Sequence, residues 1–369
     1  MRKIFVVTER RADYSRFKPI LELVRDDQSL DYDLVVTGLH LKKEHGFTID
    51  EIEKDGFEIF STFEMFLDDE DSGAAMVRSF SIALKELTYT IEKSKPDLIL
   101  SGFDIAANFA VTVAGAHMNI PVAHIQGGEV TGTIDESIRH AMSKFSHYHF
   151  ASNQDAVERL IKMGEKPEAV FNVGCPSIDA IINVKDQSDI LNRFGLGDDF
   201  YLVLQHPVTT EIEDSQWQIL QTLEAINESE IEALIILPNN DAGFSNIISR
   251  IKSSKIKYVD SLSIEDYVNL LKRSKGLIGN SSSGIHETAT FNIPTINIGT
   301  RQQGRLRSNN VIDVGYEKEQ IKAAIKKAMA MKGKTFEKIY GEGNSGVKII
   351  KLLKEINLDR DVIQKQITY

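Results

Sequence analysis

Short apolar runs rich in β-branched residues recur along the chain, separated by longer stretches in which apolar residues return every three or four positions. The runs Ile4–Thr8, Tyr32–Thr37, Asp97–Ser101, Pro121–Ile125, Tyr148–Ala151 and Val170–Val173 predict buried strands. Helical patterns such as Ser15–Arg25, Ala74–Lys93 and Ala106–His117 fill the gaps. A second series follows Pro176: Tyr201–Gln205, Ala233–Leu237, Lys257–Val259, Gly276–Ile278 and Thr295–Ile298. Strands alternating with helices predict parallel sheets covered on both faces. The charged stretch Asp186–Asp199 predicts the crossing between two halves, so the expected division is 1–185, 186–345 and a terminal helix and tail, 346–369, that packs back on the first half. The fold class expected is α/β, with two doubly wound Rossmann-like domains facing a cleft. Ligands of such sheets sit outside the C-terminal ends of the strands.

The strand ends therefore hold the candidate chemistry. Gly279-Asn280-Ser281-Ser282-Ser283-Gly284-Ile285-His286-Glu287 follows an apolar strand and leads into a helix expected to start at Glu287. Free backbone N–H groups, three serine hydroxyls and the positive end of a helix make an anion site. Arg301, Arg305 and Arg307 follow the next strand and offer forked donors to a phosphate. The first strand ends in Glu9-Arg10-Arg11-Ala12-Asp13-Tyr14-Ser15, where Arg11 and Ser15 flank a helix start, with Asp13 or Ser15 as its cap. GxGxxG is absent, and with it the dinucleotide fingerprint. Asp104 ends the third strand, placed either for acid–base work or to cap the helix Ala106–His117. The fourth strand leads into Gln126-Gly127-Gly128-Glu129, and Asp135 stands where the next helix begins. Carboxylates sharing a cleft can be held at different pKa values, one as acid and one as base. His206 ends the first strand of the second half, suited to proton transfer or a phosphate contact. His147 and His149 alternate in a strand and read as sheet residues.

Composition narrows this picture. The 369 residues suit about two domains, and an apolar share of 42% supports ordinary cores. A net charge of −11 argues against a nucleic-acid partner but not against a focused phosphate site. A single cysteine, Cys175, excludes an internal disulfide and fits a reducing cytoplasm. Neither a leader-like segment nor an apolar run approaching the ~20 residues of a membrane helix is visible, so a cytoplasmic location is expected. No Cys/His cluster suggests a metal.

Seven stretches carry a resemblance. They are Arg11-Ala12-Asp13-Tyr14-Ser15, Gly127-Gly128-Glu129-Val130-Thr131-Gly132-Thr133-Ile134-Asp135, Ser137-Ile138-Arg139-His140, Gly174-Cys175-Pro176-Ser177, Gln205-His206-Pro207-Val208-Thr209-Thr210, Gly279-Asn280-Ser281-Ser282 and Gly299-Thr300-Arg301-Gln302. In this order they resemble the UDP-N-acetylglucosamine 2-epimerase family, and more closely its hydrolysing branch in sialic acid biosynthesis. The resemblance implies the GT-B arrangement, with a nucleotide sugar in the cleft and neither metal nor cofactor. It also implies a homodimer or homotetramer, with no nucleic acid or membrane partner. The implied reaction is anti elimination of UDP from UDP-N-acetylglucosamine to a 2-acetamidoglucal, then hydration to N-acetylmannosamine. Asp104 and Asp135 would be acid–base groups, with His206 assisting. Arg11, Ser281, Ser282 and Arg301 would hold the pyrophosphate, Glu287 the ribose, and Asn239 and Leu262 the uracil. Ser15, His40 and Gly284 complete the implied binding set.

Two departures stand out. The family commonly has Glu where this chain has Gln126, which cannot take a proton, and Asp-Arg where it has Asp104-Ile105. Glu129 is then the expected substitute base. The changes also raise the 4-acetamido-4,6-dideoxy relative of UDP-N-acetylglucosamine, used on the way to legionaminic acid, or a GDP-linked sugar; Phe103, Ile105 and Ala106 would suit a 6-deoxy sugar. Further alternatives are a GT-B glycosyltransferase, which needs an acceptor, and a nucleotide-sugar sensor, which needs no base.

Overall fold

The computed structural model describes residues 1–43, 46–66 and 72–369. Seven strands form the first sheet: β1 Arg2–Thr8, β2 Leu30–Thr37, β3 Ile59–Phe63, β4 Leu98–Gly102, β5 Val122–Ile125, β6 Tyr148–Ala151 and β7 Val170–Asn172. Their order is β3-β2-β1-β4-β5-β6-β7. Six form the second: β8 Phe200–Leu204, β9 Glu232–Ile236, β10 Lys257–Val259, β11 Leu277–Gly279, β12 Thr295–Ile298 and β13 Val311–Val314, in the order β10-β9-β8-β11-β12-β13. Among the described residues every strand pairing is parallel. The central strands are apolar on both sides because helices cover both faces.

Two strands escaped the sequence pattern. β3 and β13 are edge strands, and polar or exposed residues interrupt their apolar alternation. Two helix starts also moved. The helix expected from Ser15 begins at Arg11, where both Asp13 carboxylate oxygens accept N–H groups, of Glu9 at 2.9 Å and Arg10 at 2.8 Å. The helix expected from Glu287 runs only from Ser283 to His286, then tightens into a 3₁₀ turn over Thr288–Phe291.

Each sheet is sandwiched between two apolar clusters. The helix Ser345–Glu355 lays Ile349, Ile350 and Leu353 into the first sheet's core beside the helix Arg11–Arg25. The helix Pro176–Ile182 packs on Arg11–Arg25 while its Ile178 and Ile181 join the second core. The charged stretch 186–199 contains one short helix, Ile190–Phe194. Among the described residues no helix is long and apolar enough to cross a membrane.

Strand order reverses between β1 and β4 in one sheet and between β8 and β11 in the other. The loops after these four strands begin at Glu9, Phe103, Gln205 and Asn280, and they face one another across the cleft.

Candidate active site

Strain marks the first half of the cleft. Phe103, Asp104 and Gln126 have φ of +68°, +44° and +62°, in the left-handed region that non-glycine residues avoid. All three sit just past the ends of β4 and β5, and such strain concentrates at functional sites. Asp104 does not cap the helix Ala106–His117. Glu9 does, accepting the Ala107 N–H at 2.9 Å, which leaves the Asp104 carboxylate to pair with Arg139. Asp135 lies in the first turn of Ile134–Phe145, whose N-cap is Thr133. Burial and the neighbouring Asp104 push the Asp135 carboxyl above its usual range. Both acids line one small chamber of about 60 Å³, with Gln126, Arg139 and Arg301.

Arg16 and Ser282 separate this chamber from a second, larger cavity of about 450 Å³ and line both. That volume falls within the ~300–1,000 Å³ of small-molecule sites. One wall carries Arg11, Ser15 and Arg16; the other carries His206, Asn239, Leu262, Ser281, Ser282 and Glu287. Arg16 spans the halves, donating to Gln126 Oε1 at 3.0 Å and Ser282 Oγ at 3.4 Å, with its guanidinium 5.2 Å from the Phe103 ring centre. His206 and Asn280 are tied reciprocally: the His206 N–H donates to Asn280 Oδ1 at 2.7 Å, and Asn280 Nδ2 donates to the His206 carbonyl at 2.9 Å. Burial and the Arg301 charge lower the His206 imidazole to about 3, so it is neutral at ordinary pH. Burial raises the Glu287 carboxyl, which accepts from Ser283 Oγ at 2.6 Å.

Several sequence expectations need correction. Glu129 lines neither cavity. Its carboxylate accepts from Ser152, lies 3.0 Å from His286 Nε2 and Arg305 Nε, and is further bonded by Gln126 Nε2 at 3.4 Å. Burial opposes its ionisation, but His286 and Arg305 outweigh that and hold it far below the carboxylate range, where it is a weak base. Glu129 is thus a tie between the halves. Arg305 is spent on Glu129, and Arg307 on Asp313, so neither is a free phosphate donor. Arg11 lines the large cavity but is already engaged, pairing with Glu51 and donating to Ser261 Oγ at 2.7 Å and the Leu262 carbonyl at 3.2 Å across the halves. His40 is fully buried between Thr8 Oγ1 at 3.0 Å and Thr48 Oγ1 at 2.6 Å, a core residue. Gly284 serves packing, since a Cβ there would meet Thr295 Cγ2 at 2.6 Å. Arg301 borders the small chamber and not the large cavity, bonded to the Asn280 carbonyl at 3.1 Å. Phe103 is buried edge-on against Phe17, and neither it nor Ile105 nor Ala106 lines either of these two cavities, so the argument for a 6-deoxy sugar falls away.

Sequence reasoning also missed residues. Arg16 is one. Arg10 and Asp241 are others, paired across the cleft at 3.6 Å, with Arg301 3.8 Å from the same carboxylate.

Two doubly wound sheets with their switch points facing define a GT-B protein. The chain superposes on a crystal structure of UDP-GlcNAc 2-epimerase from Neisseria meningitidis bound to UDP-GlcNAc with a TM-score of 0.81, over 96% of this chain and 100% of that one, at 18% identity. The family model for UDP-N-acetylglucosamine 2-epimerase matches residues 22–354, and the chain belongs to that family of enzymes. It is 34% identical to a UDP-N,N'-diacetylbacillosamine 2-epimerase (hydrolyzing) of Legionella pneumophila, over 99% of each chain. It is 33% identical to a UDP-N-acetylglucosamine 2-epimerase of Neisseria meningitidis, over 90% of this chain and 88% of that one.

Proposed function

We propose that the protein is a hydrolysing 2-epimerase of a UDP-linked 2-acetamido sugar, converting UDP-N-acetylglucosamine to N-acetylmannosamine and UDP. The observation that carries this reading is one chamber lined by two carboxylates in unlike environments, Asp104 past a strand end and Asp135 at a helix start, adjoining a nucleotide-sized cavity. Asp104, paired with the Arg139 cation, takes the C2 proton as UDP leaves C1. Asp135, held protonated more readily, delivers its proton to the other face of C2 in the glycal. Water adds to the oxocarbenium carbon that this creates at C1 and gives its proton back to Asp135, while the proton held by Asp104 passes to solvent. Arg16 lies where the sugar–phosphate linkage would cross between the cavities. Freed from Gln126 and Ser282, its guanidinium takes the pyrophosphate charge as it develops, beside the Ser281 and Ser282 hydroxyls. Gln126, bridged to Arg16 on one side and to Glu129 on the other, positions this cation and transfers no proton. A chamber of about 60 Å³ has room for a few waters and not for a hexose, so the halves part to admit the sugar.

A second reading keeps the chemistry and changes the sugar to UDP-2,4-diacetamido-2,4,6-trideoxyglucose. The similarity to the Legionella enzyme supports it, and identities of 34% and 33% do not separate the two sugars. Phosphorus NMR of UDP release from each sugar nucleotide distinguishes them. Release from UDP-N-acetylglucosamine at the higher kcat/KM is expected. Preference for the diacetamido sugar would favour the second reading, and turnover only with an added acceptor would overturn both.

A further inference from the structure

The helix Ile134–Phe145 carries Asp135 in its first turn and Arg139, the partner of Asp104, in its second. It is poorly anchored by apolar packing, since its buried side chains are only Arg139, Met142 and Ser143. Polar ties therefore contribute to holding its register. At the C-terminal end the last carbonyls have no partner within the helix, and the dipole favours a cation. The tail of the chain supplies one. Lys365 Nζ donates to the carbonyls of Ser143 at 2.7 Å, Ser146 at 2.7 Å and Lys144 at 3.3 Å, and pairs with Glu165 at 2.5 Å.

We propose that Lys365 is a positioning residue for the reaction, acting through this helix on Arg139 and the two carboxylates. The route is short. Ser143, whose carbonyl Lys365 holds, donates its Oγ to the Arg139 carbonyl at 3.1 Å. Arg139 in turn holds Asp104 and donates to the Glu129 carbonyl at 3.0 Å. The anchor is itself built into the first half. Glu165 is buried and also takes Lys144 at 2.8 Å and His149 at 2.9 Å. The tail backbone is pinned on either side of Lys365, by His147 Nε2 against the Ile363 carbonyl at 3.3 Å and by the Thr368 N–H on the Gly164 carbonyl at 3.2 Å.

The inference rests on the roles proposed for Asp104 and Asp135, and its test separates the two. Lys365→Met and Lys365→Arg are made in the full chain. For Lys365→Met, kcat falls ~10-fold, the scale of a sub-ångström misplacement, while KM and the UDP Kd stay within about two-fold of wild type. Amide exchange speeds up in residues 139–146. Lys365→Arg recovers most of both. Glu165→Gln, which weakens the anchor without removing the ammonium, gives a smaller change of the same kind and serves if Lys365→Met does not fold. Wild-type kcat and exchange in these variants would overturn the proposal. So would a loss that tracks weaker UDP binding and faster exchange throughout the chain. If wild-type protein turns over no UDP-sugar, the functional reading fails, and exchange in 139–146 alone decides whether Lys365 holds the helix.

Discussion

Asp104 and Asp135 sit at the ends of different elements; one guanidinium, Arg139, pairs with Asp104, and its charge acts on both. Replacing either acid by asparagine is expected to lower kcat ~10³-fold, the middle of the range for general acid–base catalysis, with UDP affinity by calorimetry unchanged. Asp135→Asn carries a second signature. A carboxyl whose folded pKa is raised destabilises the fold increasingly as pH rises above its unfolded value, and fully once pH exceeds the folded one. Its removal is therefore expected to raise the melting temperature at pH 8 while turnover is lost. His206 gives a different test. At about 3 it stays neutral through the working range, so the pH–rate profile should show no limb near ~6.5 that disappears in His206→Asn. Such a limb would mean that His206 carries a proton in the reaction.

At the scale of elements, the buried strands were legible because parallel strands covered on both faces are apolar without interruption. The edge strands β3 and β13 were not, because half their residues face outward. The position of Asp104 followed from a strand end and that of Asp135 from a helix start, whereas Arg16 was missed because its helix start was misplaced. A helix beginning at Ser15 leaves Arg16 at the solvated start of its first turn; a helix beginning at Arg11 turns it into the cleft. Arg11, Arg305 and Arg307 were legible as cations, but not their partners, since ion pairs between distant segments leave no mark in spacing. Gly132 shows the same limit. Its N–H donates to the Arg301 carbonyl at 3.0 Å, and a Cβ there would sit 1.9 Å from the Thr300 oxygen of the other half. Gly132→Ala is expected to keep the halves apart, lowering kcat ~100-fold and enlarging the radius of gyration of the UDP complex in X-ray scattering.

For the whole molecule, the halves are tied across the cleft by polar pairs: Arg10 with Asp241, Arg11 with Ser261, Arg16 with Ser282, and Glu129 with His286 and Arg305. Polar ties that can be broken and remade suit a cleft that must open for substrate. Glu129 is the most buried of them. Removing one partner of such a pair costs about 3 kcal/mol, so Glu129→Gln should lose about that much stability to urea at pH 7. Because the folded carboxyl lies below its unfolded value, this contribution is complete above pH ~4.3 and fades as pH falls further. The gap between variant and wild type should close in acid. The central claim, that two carboxylates exchange the C2 proton while UDP leaves, is tested most directly by proton NMR of the sugar product formed in D₂O. The account predicts free N-acetylmannosamine with deuterium at C2 from the first turnover. Product that retains the original C2 proton, or UDP-N-acetylmannosamine released intact, would contradict it.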